Sequence, residues 1–455
     1  MKLLKFPAIL FILIIISTDT YSQLWKQYAD SAKAFKDRKS YDTAIILYYK
    51  AKEELKKDSA GTNSYAGICY TLGNIYIDLY KNKEAEQQLL EAKQVREKVL
   101  VENNDYAEVC NNLGLVYMRM DQYEKSEPFF IKAMAIFEKV YGKEHPQYAL
   151  ACNNRALLYI HSGQYQKAEP LLLEALDIRE KVLGKAHPLY GYNCNSLGAL
   201  YINMGQYKKA ELFLLKAKQI WENVYGKESQ KYASACNNLA YLYDDISEYE
   251  KAETLYLEAN QIFGKILGKE HIIYGKSCNN LAEFYSGLGQ YEKAEMFYDY
   301  AKQIVEKASG KDNSDYATIC NNLGSLYAET KQFEKAEFLF FEAKNIWDKM
   351  PSKEDPEYAR CCDNLAGIFI EKGQYQKAEP LLLEAKQITE QVFGKMHPEY
   401  ARSCNDLGTF YENTGEYQKA EPLYLEAKQT REKVLASSIR IMLKVVLTSQ
   451  IYIGA

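Results

Sequence analysis

Residues Tyr148–Tyr159 read Y-A-L-A-C-N-N-R-A-L-L-Y, and variants of this stretch recur every 42 residues along most of the chain. The variants begin at tyrosines spaced by 42 residues from Tyr106 to Tyr400, and Tyr65 lies one residue off the series. A second block close to G-Q-Y-x-K-A-E follows each time and is clearest at Gly163, Gly205, Gly289, Gly373 and Gly415. A fixed period of this length indicates an array of structural repeats.

Each repeat predicts two helices, A and B. In the fourth unit, helix A is expected over Pro146–His161 and helix B over Tyr165–Leu183, because proline favours the first helical turn and glycine the position after the last. Ser162-Gly163-Gln164 is the turn between them. An irregular opening unit, Trp25–Lys57, has a similar hairpin pattern without the motif, which gives about ten hairpins.

The apolar residues of each helix A lie on one face. Cys110, Leu113, Gly114 and Tyr117 have the spacing i, i+3, i+4, i+7. Gly114 is small so that helix B can approach closely, and Ala168 does the same from helix B. One hairpin cannot cover this stripe alone, whereas stacked neighbours can. The sequence therefore predicts an all-α solenoid of helix-turn-helix hairpins.

These residues resemble the tetratricopeptide repeat. The 42-residue period, the N-N-L-A/G-x-L-Y core and the E-K-V-x-G-K-x-H-P connector are similar to its kinesin light chain-like subtype, which is common in bacterial multi-repeat proteins. The resemblance covers about Tyr65 to Leu435; Cys replaces the bulky residue at the start of the stripe, and Arg155 stands where Leu is expected. It implies a right-handed superhelix whose concave wall of A helices binds peptides or protein segments, and it implies no catalysis.

Composition fits a globular array. The 455 residues are 47% hydrophobic and 26% charged, so the chain is too long for one core and too apolar for disorder. The net charge of −4, with both signs interspersed, gives no reason to expect nucleic acid or an anionic membrane as partner. The predicted domains are a signal peptide (1–22), an irregular hairpin (23–60), about nine tandem repeats (61–435) and a non-repeat tail (436–455).

The N-terminus is typical of a signal peptide. Lys2 and Lys5 precede the apolar run Phe6–Ile16, which is too short to span a bilayer, and small residues allow cleavage between Ser22 and Gln23. No other stretch is long enough to cross a membrane. We expect a secreted or periplasmic protein; an N-terminal anchor is the alternative.

The C-terminal tail breaks the pattern. Ala436–Ala455 has no repeat motif, yet its possible codons, read one base earlier, allow H-P-D-Y-A-K-S-C-x-N-L-A-N-L-Y, in register with His397–Tyr411. We expect the tail to be the frameshifted remnant of a further repeat and the natural protein to be longer. The alternative is an apolar C-terminal cap, although caps normally present a polar outer face.

The cysteines are expected to be free. Eight of the ten, from Cys110 to Cys404 at intervals of 42 residues, hold one buried position in successive units. Equivalent Cα atoms of stacked hairpins lie about 10 Å apart, whereas a disulfide needs less than about 7 Å. They are interpreted as small packing residues.

Histidines give no sign of chemistry. His145, His187, His271 and His397 lie in the connectors from helix B to the next helix A, where they are turn residues first. No spacing suggests a converging metal site or a catalytic grouping. We therefore expect no metal, no cofactor and no enzymatic activity.

A repeated asparagine pair marks the expected groove. Asparagine is a poor helix former, so its recurrence in the middle of helix A needs a reason. One interpretation is a ladder of side-chain amides that bonds the backbone of an extended peptide; the other is that one Asn per unit bonds the neighbouring hairpin. We expect the first Asn to be structural and the second to bind ligand. The second positions are Asn112, Asn154, Asn238, Asn280, Asn322 and Asn364.

The other groove positions change character along the chain. The early apolar positions are Leu115, Met118, Leu157, Ile160 and Tyr192. The later acidic positions are Asp244, Asp245, Glu283, Glu329, Glu371 and Glu412. We single out Tyr192, Asp244, Asp245 and Glu283 as candidate binding residues, for a partner segment that is part apolar and part basic. Ordinary variation on a solvated wall is the alternative.

The preferred function is a protein- or peptide-binding scaffold. The competing interpretation is the recognition arm of a longer enzyme or signalling protein, for instance one with a caspase-like peptidase effector domain, which is missing from this chain. The partner and the pathway are not encoded in the repeat.

Overall fold

The computed structural model describes residues 24–38, 40–58, 62–99, 103–350, 355–395 and 397–433. In these ranges the chain forms 20 helices and no strand. The predicted signal peptide and the tail from residue 436 lie outside the described residues, and the proposals made for them stay predictions. Within the described part no helix has the length and apolar character needed to cross a membrane.

The helices alternate between A and B of ten hairpins. The A helices are α1 (24–37), α3 (Asn63–Asp78), α5 (Asn104–Arg119), α7 (Pro146–His161), α9 (Pro188–Asn203), α11 (Gln230–Asp245), α13 (Ile272–Gly287), α15 (Ser314–Glu329), α17 (Pro356–Glu371) and α19 (Pro398–Asn413). The B helices are α2 (Tyr41–Asp58), α4 (Asn82–Val99), α6 (Tyr123–Tyr141), α8 (Tyr165–Leu183), α10 (Tyr207–Tyr225), α12 (Tyr249–Leu267), α14 (Tyr291–Ser309), α16 (Phe333–Asp348), α18 (Tyr375–Phe393) and α20 (417–433).

The predicted fold class is confirmed, and α7 and α8 have the predicted bounds. The chain divides into two compact units, Met1–Arg155 and Ala156–Ala455. In the first unit, α2 to α6 pack each against the next. In the second, the same succession runs from α8 to α19, and A helices of adjacent hairpins also meet, as α13 does with α15.

The connectors are shaped by capping. Glycine follows most B helices with a positive φ, such as +82° at Gly184, where an L side chain would be strained. Three residues later comes the N-cap of the next helix A. At His187, His271 and His397 the ring Nδ1 accepts the backbone N–H two residues ahead, at 3.1–3.2 Å. These histidines are N-cap residues of the helices that follow, which confirms the expectation that they are turn residues.

Close helix packing explains the small residues. A Cβ on Gly114 would lie 2.7 Å from Phe130 of α6, so a side chain at position 114 would require the Phe130 ring to shift. Ala168 and Ala175 are fully buried in helix B. All ten cysteines are buried and none is in a disulfide. Burial raises the pKa of the Cys110 thiol to about 11, which keeps it protonated and unreactive.

Tyrosine joins the hairpins through glutamate. Within a hairpin, the Tyr232 hydroxyl donates to Glu258 at 2.9 Å. Between hairpins, the Tyr243 hydroxyl donates to Glu211 of the preceding helix B at 2.8 Å, and Tyr285 does the same to Glu253 at 2.9 Å. Because these bonds repeat with the period, they account for much of the high tyrosine content.

Candidate ligand groove

One face of each helix A points away from the core and is the candidate groove surface. The second, fifth, ninth, twelfth and sixteenth residues lie within a quarter of a turn of one another, since the helix has 3.6 residues per turn. We call these positions in the A helices α9 to α19 the inner stripe. In α11 they are Lys231, Ser234, Asn238, Tyr241 and Asp245. In α13 they are Ile273, Lys276, Asn280, Glu283 and Gly287.

The asparagine pairs form a ladder between hairpins. In each rung, Nδ2 of the second Asn donates to Oδ1 of an Asn in the preceding helix A. The rungs in the first unit are Asn112 to Asn74 at 2.7 Å and Asn154 to Asn111 at 3.0 Å. Those in the second unit are Asn238 to Asn195 at 3.0 Å, Asn280 to Asn237 at 3.1 Å, Asn322 to Asn279 at 3.4 Å and Asn364 to Asn321 at 3.1 Å.

This ladder corrects the expectation that only the first Asn of each pair has a structural role. In pairs such as Asn237/Asn238 and Asn279/Asn280 both members bond a neighbouring hairpin, so the second Asn is structural as well. An amide NH₂ has two hydrogens and the amide oxygen two lone pairs, so the ladder uses part of this capacity. Asn238 and Asn280 are partly exposed, whereas Asn154 is only 7% exposed. Ligand contact by the second Asn stays a prediction, and Asn154 has least surface to offer.

The last contact of the ladder, between α17 and α19, is an ion pair. Asp363 stands where the other pairs have their first Asn, and Nη1 of Arg402 in α19 lies 3.3 Å from its carboxylate. The same Arg402 nitrogen lies 3.4 Å from Asp406. Burial raises the pKa of Asp363 to about 7, against the lowering effect of Arg402. An ion pair therefore replaces the amide bond where Asn becomes Asp.

The apolar positions are less open than expected. Met118 is only 7% exposed, so its side chain is part of the core and offers little surface to a ligand. Leu115, Leu157 and Ile160 are partly buried. Tyr192 is also partly buried, and the ammonium of Lys231 from the next hairpin lies 5.3 Å from its ring centre. The assignment of Met118 to the groove is therefore wrong.

The acidic side chains of α11 and α13 affect the pKa values of one another. Burial, and then the charge of Asp245, raise the pKa of Asp244 to about 6. Burial also raises the pKa of Glu283, which is influenced by both aspartates and by Arg360. Within the described residues, none of Asp244, Asp245, Glu283 and Glu329 forms an ion pair. We call these four the acidic lane; Asp245, Glu283 and Glu329 lie on the inner stripe, and Asp244 lies beside it.

Four basic residues on the inner stripe escaped the sequence analysis. Lys276 forms an ion pair with Asp315 at 2.7 Å. Arg360 pairs with Glu357, and the other two are Lys231 and Arg402. Lys276, Arg360 and Arg402 share the fifth position of their helices, four residues before the second member of the pair (Asn280, Asn364 and Asp406), and this spacing was the available signal. The surface is thus mixed: basic residues, three of which form ion pairs, lie in the first half of the A helices, and the acidic lane lies nearer their ends.

Nothing in this arrangement suggests a metal centre. The described residues contain no group of three or more His, Cys, Asp or Glu side chains placed to hold a metal ion. The surface offers amides, carboxylates and partly buried aromatic rings, which suit non-covalent recognition of a polypeptide.

Comparison with known families agrees with the repeat. Tetratricopeptide repeat models match residues 66–105, 105–181, 150–217, 190–265, 276–349 and 358–433. The chain belongs to the tetratricopeptide repeat family. Comparison with curated proteins gives no significant match.

Several solved structures are similar to this chain, and the first of those that follow has the same kind of fold. The Rap protein complexed with Competence and Sporulation Factor is similar at 13% identity and a TM-score of 0.56, over 82% of this chain and 99% of that one. BtubC (BKLC) from P. vanneervenii is similar at 24% identity over 50% of this chain and 91% of its own, with a TM-score of 0.42. A putative kinesin light chain from Podosopora anserina has 23% identity over 45% and 98%, with a TM-score of 0.38.

Proposed function

We propose that this tetratricopeptide repeat protein is a binding scaffold whose inner stripe holds an extended polypeptide segment. The acidic lane is the observation that carries the proposal. Its carboxylates keep elevated pKa values and form no ion pair in the described part of the chain, and the charge of Arg360 offsets the rise in the pKa of Glu283 only in part. A cationic side chain bound there would relieve this repulsion.

The proposed ligand has two parts. Its basic part lies along Asp244, Asp245 and Glu283, and its apolar part lies towards Tyr192. Asparagine amides between these two ends offer hydrogen bonds to a backbone of any sequence. The Rap protein crystallised with Competence and Sporulation Factor shows that a related fold accommodates a bound partner.

Binding of a simple probe tests this function. We would titrate the full chain into a fluorescein-labelled peptide of leucines followed by lysines and measure anisotropy. We expect saturable binding that weakens between low salt and about 0.5 M NaCl, because screening removes the attraction between lysine and carboxylate. A matched peptide of leucines followed by glutamates is the control. Equal binding of both peptides contradicts the proposal.

Export is proposed separately, on the pattern of residues 1–22 alone. The mature protein would begin at Gln23 and act in the bacterial envelope or outside the cell. N-terminal sequencing of protein recovered from periplasm and medium tests this. Cytoplasmic protein that retains Met1–Ser22 would contradict it.

A further inference from the structure

One turn of the second unit is covered where its equivalents are open. Gly163, between α7 and α8, is buried, and a Cβ there would lie 2.2 Å from Cδ1 of Phe393, 230 residues further along the chain. The equivalent turn glycines are exposed, and a Cβ on any of them would meet nothing within 4 Å. They are Gly205, Gly289, Gly373 and Gly415.

The end of α18 shows the matching burial. Val392 is only 9% exposed, whereas Val182, Val224 and Ile266, at the same position of earlier B helices, are 49%, 46% and 37% exposed. Since the local sequence is similar in these repeats, the burial of Val392 fits the contact that its neighbour Phe393 makes with the turn at Gly163.

Aromatic rings complete this contact. The His397 ring stacks on Phe393 with centroids 4.3 Å apart, and the Tyr165 ring of α8 lies 5.9 Å from His397. Tyr165 is partly buried, whereas the equivalent Tyr207 and Tyr249 are 37% and 45% exposed. The start of α8 and the connector after α18 therefore touch directly.

This contact joins the two ends of the helix series from α8 to α18. The helices from α8 to α18 pack each against the next, so a contact between the first and the last of them encloses the inner stripe of α9 to α17. His161 and Lys231 show the enclosure, because both are exposed to solvent and yet surrounding protein lowers the pKa of each. Arg360 of α17 acts electrostatically on Tyr241 of α11, three hairpins away.

We propose that Gly163, Tyr165, Phe393 and His397 form a clasp that closes α8–α18 into a ring and restricts access to the inner stripe. A polypeptide would then enter by threading an end or by waiting for the clasp to open. The claim that a polypeptide is the ligand that enters the ring rests on the proposed function. The closure of the ring does not rest on it.

Disulfide trapping tests the closure. In the full chain, G163C and F393C together place two cysteines at the contact, where a Cβ on residue 163 would lie 3.5 Å from Cγ of Phe393. Native thiols do not compete, because all are buried. We expect oxidation to link the pair with a yield at least about tenfold above the control pair G205C and F393C, since a bridge needs this proximity. Equal yields, read by mass spectrometry of the linked peptides, would overturn the clasp.

A second measurement tests access without any peptide ligand. T318C places a thiol at the fifth position of α15, on the inner stripe, and its reaction with a polymer-bearing maleimide reports entry of a bulky group. We expect this reaction to be slower in the disulfide-locked G163C/F393C ring than after reduction, and faster in G163W than in the control G205W. Unchanged rates would refute the restriction. Failure of the leucine–lysine probe to bind would count against the proposed function. The disulfide yield and the maleimide reaction rate would still test the clasp, because neither uses that probe.

Discussion

Nδ2 of Asn280 lies 3.1 Å from Oδ1 of Asn237, in the helix A of the preceding hairpin. This bond ties two hairpins together, so N280A is expected to lower the free energy of unfolding by about 1 kcal/mol. The control is N203A, because the Asn203 amide bonds a carbonyl of its own helix. In denaturant titrations, N237A/N280A should cost less than the sum of the single changes. Strict additivity would show that the pair does not interact.

Two helical glycines should respond oppositely to alanine. A Cβ on Gly324 would lie 2.7 Å from Phe340, so G324A should destabilise by about 1–3 kcal/mol through overpacking. A Cβ on Gly367 would meet nothing within 4 Å, so G367A should stabilise by about 0.5–1 kcal/mol through helix propensity. Thermal unfolding of both variants decides this. The same sign for both would contradict the packing described here.

The cysteines should react only after unfolding. Burial raises the pKa of Cys110 to about 11 and that of Cys236 to about 12, so thiolate is scarce at mildly alkaline pH. We expect little reaction with a disulfide reagent in the folded protein. All ten thiols should react in denaturant without a reductant. Fewer than ten under those conditions would reveal disulfides.

Binding of the leucine–lysine probe should depend on pH through Asp244. Its pKa in the folded protein is about 6, above its ordinary value of 3.8, so the carboxyl gains a proton as the pH falls through 6. As the pH falls through this interval, the contribution of Asp244 to the free energy of unfolding becomes more favourable. The reason is that the folded state binds the proton more tightly than the unfolded state. Affinity should fall between about pH 7 and about pH 5 as the negative charge is lost. D244N should bind more weakly at neutral pH and lose part of this dependence; an unchanged profile would remove Asp244 from the site.

Local features were predictable, and long-range ones were not. Proline, glycine and the apolar spacing fix α7 and α8, because these signals act within a few residues. The Asn237–Asn280 bond joins residues 43 apart, and only the regular repeat hinted at it. The contact of Gly163 with Phe393 depends on small rotations summed over several hairpins, which no single repeat encodes. The place of Arg360 on the inner stripe needed only helix phase, and it was missed because the later repeats were interpreted as acidic.

Charge reversal in the acidic lane tests the central claim most directly. We would compare D245K/E283K with E250K/E292K, whose glutamates are exposed on the B helices of the same hairpins. Anisotropy titrations with the leucine–lysine probe would measure both affinities, and circular dichroism would confirm that both variants fold. We expect at least about a tenfold loss of affinity for D245K/E283K, about 1.4 kcal/mol, and little change for the control. Equal affinities of the two variants would contradict binding at the inner stripe.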